Sequence, residues 1–427
     1  MQNRVQKKKK ISLTTMIFIA LLAGALAGVI INYLIPSNYV VDDIIVQGVF
    51  YIVGQGFIRL MRMLVVPLVF CSIVCGSMAV GDTKKLGSVG VKTLIFYLCT
   101  TALAITVALS IANIFNPGKG LDMSQIQVTS TVSETTQSMS MTETLLDIIP
   151  VNIFNSLSEG NMLQIIVFAL ILGVILANMG DRVDIVKNFF GQFNDIMMEM
   201  TMAVMKLAPI GVFCLIAKTF AEIGFEVFIP LLKYMFCVLL ALAVQCFVVY
   251  LGLLKVFSGL NPFIFIKNFF PVMAFAFSTS TSNATIPMNI DTLAAKMGVS
   301  KKISSFTIPL GATINMDGTS IMQGVAVVFT AQAFGIPLDM MDYLTVIGTA
   351  TLASIGTAGV PSVGLITLTM VFNSVGLPIE GIALIMGIDR ILDMTRTAVN
   401  ITGDAVCTTI VASWNKAVDR DVYYNRK

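Results

Sequence analysis

The chain has 427 residues, of which 56% are hydrophobic and only 12% charged, with a mean hydropathy of +0.88 and a formal net charge of +3. Soluble domains carry about 25% charged residues, so a water-soluble globular protein is excluded and a polytopic, all-α membrane protein is expected. The sequence has no histidine, which removes the commonest general base and zinc ligand, and it has no nucleotide-binding loop. An enzyme and an ATP-driven pump are both disfavoured on these grounds.

A basic head, MQNRVQKKKK, precedes an apolar run at 11–35 that is too long for a signal-peptide core, so a retained first span is expected. The second span, 46–80, contains Pro67, and the third, 87–115, stops at NPGKG. Residues 121–144 are rich in Ser, Thr and Gln and read as an exposed loop. Apolar character resumes over 145–179, broken by SLSEGN, and further spans follow at 186–217 and 227–256. All seven cysteines lie in these apolar stretches and read as small buried hydrophobes. Basic residues at 84–85, 182–187, 255, 267, 296, 301–302 and the C-terminal end mark the cytoplasmic side, with both termini on it.

Two later segments, 262–291 and 338–380, are interrupted at their middles by FSTSTSNATIP (277–287) and SIGTAGVPSVG (354–364). A Ser/Thr/Gly-rich break with a proline does not continue a helix, and its free backbone groups must line a cavity. Both segments are expected to be re-entrant hairpins, and each precedes a helix with a polar patch. That pattern is an inverted repeat, which places substrate near the bilayer midplane.

The last apolar stretch contains GIDRILDMTRTAVNITGD (387–404), where Asp389, Asp393, Arg396, Asn400 and Asp404 follow at intervals of four, three, four and four. On a helix they share a face roughly 80° wide. Facing lipid, the three carboxylates and the arginine would cost on the order of 10 kcal/mol, so the stripe must face protein or a wet cavity. Arg396 offers a planar fork for a carboxylate, and Asp393, one turn away, could receive an ammonium. The competing reading is an internal Asp393–Arg396 salt bridge. The patch after the first hairpin, GATINMDGTS (311–320), sets Asp317 beside a glycine. Unwound carbonyls plus one carboxylate suit a hard cation such as sodium; the competing reading there is a helix kink with a hydrogen-bonded Asn315.

The residues RLMRMLVVPLVF (59–70), FYLCTT (96–101), FNPG (115–118), APIGVF (208–213), GATINMDGT (311–319), ASIGTAGVP (353–361) and DMTRTAVNITGD (393–404) resemble the glutamate transporter family of dicarboxylate/amino acid:cation symporters. The resemblance covers nearly the whole chain and implies eight transmembrane helices plus two re-entrant hairpins. It implies scaffold helices 1–2 in 1–86, a transport-domain helix 3 in 87–115, and scaffold helices 4–5 in 116–225 with an extracellular loop at 116–145. A transport core follows in 226–415, with hairpins at 261–292 and 338–376, and then a cytoplasmic tail at 416–427.

By the same resemblance, substrate is held by Ser282, Thr319, Gly359, Val360, Gly364, Asp393, Arg396, Thr397 and Asn400. One sodium site uses Gly311, Asn315, Asn400 and Asp404; a second uses Thr313, Ser354, Ile355 and Thr357; a third uses Tyr97, Thr100, Thr101, Asn315 and Asp317. The chain departs from the family pattern at Ser280 and Met394, where relatives carry an arginine, and has Arg390, Asn283 and Thr395 instead of the usual residues. The implied activity is symport of L-glutamate or L-aspartate with sodium, by an elevator motion in a homotrimer of the cell membrane. No organic cofactor and no nucleic-acid partner are expected; amino acid and membrane lipid are. Proton coupling and a cystine or dicarboxylate substrate remain alternatives, and an ion channel is the alternative of another class.

Overall fold

The computed structural model describes residues 13–36, 38–81, 88–121, 149–224, 228–355 and 363–425, and the expected spans within them are helical. Helix α1 (Leu13–Leu34) is followed by a π-helical stretch (Val40–Phe50) that runs straight into α2 (Tyr51–Gly81), which keeps Pro67 in its interior. The second expected span thus begins earlier than its apolar run. Helix α3 (Ser88–Phe115) matches the third span. The short α4 (Ile153–Glu159) is capped by Asn152, whose side chain accepts from the Phe154 N–H, and α5 (Met162–Met179) follows.

The fifth expected span, 186–217, is two helices rather than one. Helix α6 (Asp184–Met205) ends at Lys206–Leu207, and α7 (Ala208–Ile223) restarts with Pro209 in its first turn. A proline there needs no N–H partner, so the chain can turn without stranding a donor. Helix α8 (Phe228–Ala243), a π-helical segment (Val244–Tyr250) and α9 (Leu251–Ser258) form the sixth span.

The first hairpin comprises α10 (Pro262–Thr279) and α11 (Ser282–Met297), which pack side by side. Its tip is only two residues wide: Ser280 takes a left-handed conformation (φ 53°) and Thr281 is extended. Helices α12 (Lys301–Ile314) and α13 (Asp317–Ala333) are separated by Asn315 and Met316. Helix α14 (Met340–Ser354) starts with a reciprocal capping box between Asp339 and Asp342 and packs on α15 (Val363–Ser374). The tip of this second hairpin lies outside the described residues, as does most of the expected loop at 116–145. Helix α16 (Gly381–Trp414) has 34 residues, and a short α17 (Arg420–Tyr423) closes the chain.

Helix α13 is buried along almost its whole length, with α3, α8, α14, α15 and α16 packed around it. The outward faces of the early helices are apolar instead, as at Leu26, Ile52 and Phe247. Six helical stretches among the described residues are long and apolar enough to cross a membrane, from Thr15–Leu34 to Pro262–Thr279. These six are not six of the expected eight: Gln164–Val204 joins the expected fourth and fifth spans, Pro262–Thr279 is a hairpin arm, and the expected seventh and eighth are not among them. The break at 315–316 divides one span into two short helices, and the polar stripe of α16 dilutes its hydropathy.

Helix α1 lies on α7 through Gly24 and Gly28, one turn apart. A Cβ on Gly24 would meet the Phe213 carbonyl oxygen at 2.8 Å, and one on Gly28 would meet that of Ala217 at 2.5 Å. Small residues at this spacing let membrane helices approach closely. Gly28→Val should therefore cost about 1–3 kcal/mol by overpacking, seen as a lower melting temperature of the purified protein. Gly191→Ala on α6, where an added Cβ meets nothing within 4 Å, should leave it unchanged.

Candidate functional site

At the α12–α13 break, Asn315 is extended (φ −92°, ψ 91°) and its N–H still bonds the Gly311 carbonyl. Asp317 is the first residue of α13 and fully buried, where the positive end of a helix favours a carboxylate. Three neutral donors converge on it. The Thr101 hydroxyl from α3 reaches Oδ1, while Gln245 Nε2 at 3.1 Å and the Tyr250 hydroxyl at 2.8 Å both reach Oδ2. Gln245 and Tyr250 are five residues apart on the π-helical segment, and a π turn returns to the same face at that spacing. The sequence reading did not select either; the available signal was a lone glutamine in an otherwise apolar span.

Asp404 on α16, 1% exposed, accepts from Asn315 Nδ2 at 2.8 Å, and the same amide reaches the Asn400 carbonyl at 3.3 Å. Gly311 backs directly onto the Asp404 carboxylate and the Tyr97 hydroxyl, with no room for a Cβ. The buried Asn315 Oδ1 has no donor. Among the described residues no lysine or arginine pairs with Asp317 or Asp404. Buried carboxylates need a cation or a proton, and the free acceptors here are oxygens, which suit a hard cation as well. Thus Tyr97, Thr101, Gly311, Asn315, Asp317, Asn400 and Asp404 meet in one region. The Thr100 hydroxyl points back to the Tyr97 carbonyl at 3.1 Å.

The remaining cation candidates are not joined in this way. Thr313 lines a cleft between α2, α6 and the first hairpin, together with Ser72, Asp195, Glu199 and Asn283. Ser354 and Ile355 close α14, with the Ser354 hydroxyl donating to the Thr351 carbonyl at 2.7 Å. No hydrogen bond joins them to Thr313 among the described residues, and Thr357 lies outside those residues.

The second polar group is centred on Arg396, 1% exposed. One terminal nitrogen is 2.8 Å from Asp389 and the other is 2.8 Å from Asp393, both on α16 itself. Asp389 is thus an ion-pair partner of the arginine, two turns away, while the Asp393 contact is also a hydrogen bond. The internal Asp393–Arg396 salt bridge considered from the sequence is present, and Arg396 Nε has no hydrogen-bond partner. Gly364 of α15 faces this group: a Cβ there would lie 3.0 Å from Thr319 Cγ2 and 3.5 Å from the Arg396 guanidinium. The Thr397 hydroxyl donates to the Asp393 carbonyl at 2.8 Å. Ser282 is the buried first residue of α11, which packs on α16. Gly359 and Val360 lie outside the described residues, as does the side chain of Arg390.

Asn400 connects the two groups. Its Oδ1 accepts from the Gly318 N–H at 2.7 Å, its Nδ2 reaches the Met316 sulfur at 3.3 Å, and its carbonyl faces Asn315.

The model of the sodium:dicarboxylate symporter family matches residues 13–414. The chain is 39% identical to a proton/sodium-glutamate symport protein of Bacillus caldotenax over 411 residues, 95% of each chain. It is 36% identical to the proton/glutamate-aspartate symporter of Escherichia coli K12 over 422 residues, covering 97% of this chain and 95% of the relative. Identity to a C4-dicarboxylate transport protein of Ralstonia nicotianae is 33% over 372 residues, 86% of each.

The two carboxylates without basic partners generate a prediction about stability. Asp404→Asn should melt higher than the unmodified protein in cation-poor buffer. Sodium should stabilise the unmodified protein by about 2.7 kcal/mol at a hundred times its dissociation constant, and the variant by much less. The check is thermal unfolding in sodium chloride against choline chloride at equal ionic strength; equal sodium shifts in both proteins would remove Asp404 from a cation site.

Proposed function

The chain belongs to the sodium:dicarboxylate symporter family, and from that premise we propose that it imports L-glutamate or L-aspartate into the cell together with sodium ions. The observation that carries this reading is Arg396: a buried guanidinium beside Thr319 and Gly364, paired among the described residues with carboxylates of its own helix. Such a fork recognises a second carboxylate in two-point fashion. Asp393 then receives the substrate ammonium once the substrate carboxylate takes its place on Arg396. Thr319, Thr397, Asn400, Ser282, Gly359, Val360 and Gly364 complete the polar shell.

Sodium rather than a proton is favoured by the unmet acceptor of Asn315 and by the convergence of Tyr97, Thr101, Gly311, Asn315, Asp317, Asn400 and Asp404. Thr100 belongs to the same proposed cage, and Thr313, Ser354, Ile355 and Thr357 form the remaining site. Gln245 and Tyr250 hold the Asp317 carboxylate in place. The proposed working form is a homotrimer of the cell membrane. A core made of α3, α8 to α16 and both hairpins slides past a scaffold of α1, α2 and α4 to α7, against membrane lipid. The eight-span topology with cytoplasmic termini belongs to the same reading.

A second reading is favoured by one contact. Asp393 is engaged by Arg396 at 2.8 Å, and if that bridge persists in the loaded protein there is no free carboxylate for an ammonium. A C4-dicarboxylate then becomes the better substrate.

Proteoliposomes decide between these. Labelled glutamate or aspartate should accumulate only under an inward sodium gradient, displaced by unlabelled acidic amino acids and not by succinate. Uptake driven equally by a proton gradient without sodium would overturn the coupling, and succinate or cystine as the preferred competitor would overturn the substrate. Uptake that never saturates would point to a channel. Arg396→Ala should weaken acidic substrate by about 2–5 kcal/mol, a loss of roughly a hundredfold, read by competition binding. Unchanged glutamate affinity in that variant would refute the assigned role.

A further inference from the structure

The residues after α16 were expected to form a cytoplasmic tail, yet Lys416–Tyr424 is docked across the root of the first hairpin. It touches both arms. At the end of α11, the Ser300 N–H donates to the Ala417 carbonyl at 3.0 Å, and the Asp419 N–H donates to the Gly298 carbonyl at 2.8 Å. Val299 and Val418 form an antiparallel bridge between these bonds. Gly298 is left-handed (φ 64°), and a Cβ there would run into the Asp419 backbone. At the start of α10, the Tyr423 hydroxyl donates to the carbonyl of Asn261 at 2.8 Å, and Arg420 donates to that of Ser258 at 3.3 Å. Asn261 is itself the cap of α10, its side chain accepting from the Phe263 N–H. The Tyr423 side chain is 1% exposed, and the Trp414 indole ties the end of α16 to the Phe257 carbonyl at 3.2 Å.

These bonds form a brace between α16 and the two arms of the hairpin, far from the polar groups around Arg396. Leverage gives the distant contact its consequence. Helix α10 has 18 residues, roughly 27 Å from root to tip at 1.5 Å per residue, so each degree of tilt at the root moves the tip by roughly 0.5 Å. Binding groups must be held within about 0.5 Å to work. Ser282 at the tip is therefore only as well placed against α16 as the root is rigid.

We propose that the segment 416–424, with Tyr423 as its anchor, is a positioning element that sets the first-hairpin tip against the substrate group of α16. The proposal rests on the transport reading for its functional consequence and on the root contacts alone for its mechanical one. The Tyr423 hydroxyl and the 299–418 bridge resist tilt in different directions, since one holds the first arm and the other holds the second. Together they hold the first hairpin at its root as a fixed wall.

The test uses the full chain with Tyr423→Phe, which keeps the ring and removes the hydroxyl, and a truncation after Ala417. Hydrogen exchange and labelled-glutamate uptake are measured on each. The truncation should speed amide exchange at Ser300 and at Ser280 in the tip at least tenfold. It should raise KM at least fivefold with the maximal rate within twofold. Tyr423→Phe should raise KM at least threefold with an unchanged melting temperature. KM within twofold in both variants would overturn the proposal, even if the melting temperature fell, because the segment would then be merely structural. If the unmodified protein shows no uptake, the transport reading fails; faster tip exchange on truncation would still uphold the brace, and unchanged tip exchange would overturn it.

Discussion

The fold depends on keeping two buried carboxylates, Asp317 and Asp404, in a region where no lysine or arginine among the described residues pairs with them. Each charge taken from water into a low-dielectric interior costs several kcal/mol unless it is compensated. The protein compensates in part with neutral donors: Thr101 from α3, Gln245 and Tyr250 from the π-helical segment, and Asn315 from the break between α12 and α13. Several local irregularities follow from that requirement. The break turns the buried Asn315 toward Asp404, the π segment turns two side chains to one face, and Gly311 lets α12 touch the Asp404 carboxylate. Neutral donors stabilise a carboxylate without neutralising it, so a cation is the natural remaining component.

The same helix carries the second polar group, and the two are mechanically joined. Arg396 and Asp404 are eight residues apart, roughly 12 Å along α16, with Asn400 midway. Asn400 bonds the Gly318 N–H through its side chain and meets Asn315 through its carbonyl. A ligand at Arg396 that shifts Asn400 also shifts the donor on Asp404, and the reverse holds by linkage. Shared residues of this kind are a physical route by which one bound species alters affinity for another. A long wire through the protein is not needed.

Much of this was legible in the sequence because charge and apolarity leave strong signals. Asp389, Asp393, Arg396, Asn400 and Asp404 were set on one helix face by spacing alone, and the structure puts all five in buried positions on α16. NMDGT was expected to loosen a helix, and the helix does stop at Asn315. Ser280 and Thr281 end α10 where a Ser/Thr-rich break was expected. Other features had no local signature. Gln245 and Tyr250 matter because of a π-helical register, which apolar periodicity does not reveal. The bend between α6 and α7 hides inside one continuous apolar run. Spacing put Asp389 on the shared face, but its pairing with Arg396 two turns away is a reach set by side-chain rotamers. Docking of the last residues depends on main-chain bonds around a left-handed Gly298 and on the Tyr423 hydroxyl reaching the Asn261 carbonyl, long-range pairings that no local pattern announces.

Charge balance explains why such a site would carry an acidic solute and cations together. Among the described side chains, with every group ionised, Asp317, Asp389, Asp393 and Asp404 set four negative charges against the positive charge of Arg396, a formal deficit of three before the neighbouring Arg390, whose side chain lies outside the described residues, is counted. An acidic amino acid adds one more negative charge, and a dicarboxylate adds two. Entry of either by itself would deepen a deficit that the low-dielectric surroundings already make costly. The ammonium of an amino acid relieves this where Asp393 is held, and monovalent cations relieve it at Asp317 and Asp404. Arg396 is paired with two carboxylates of its own helix, and on the proposed reading its release toward a third would need positive charge to take its place. On the proposed reading, binding of the anion and binding of the cations would be one electrostatic event seen from two ends of α16.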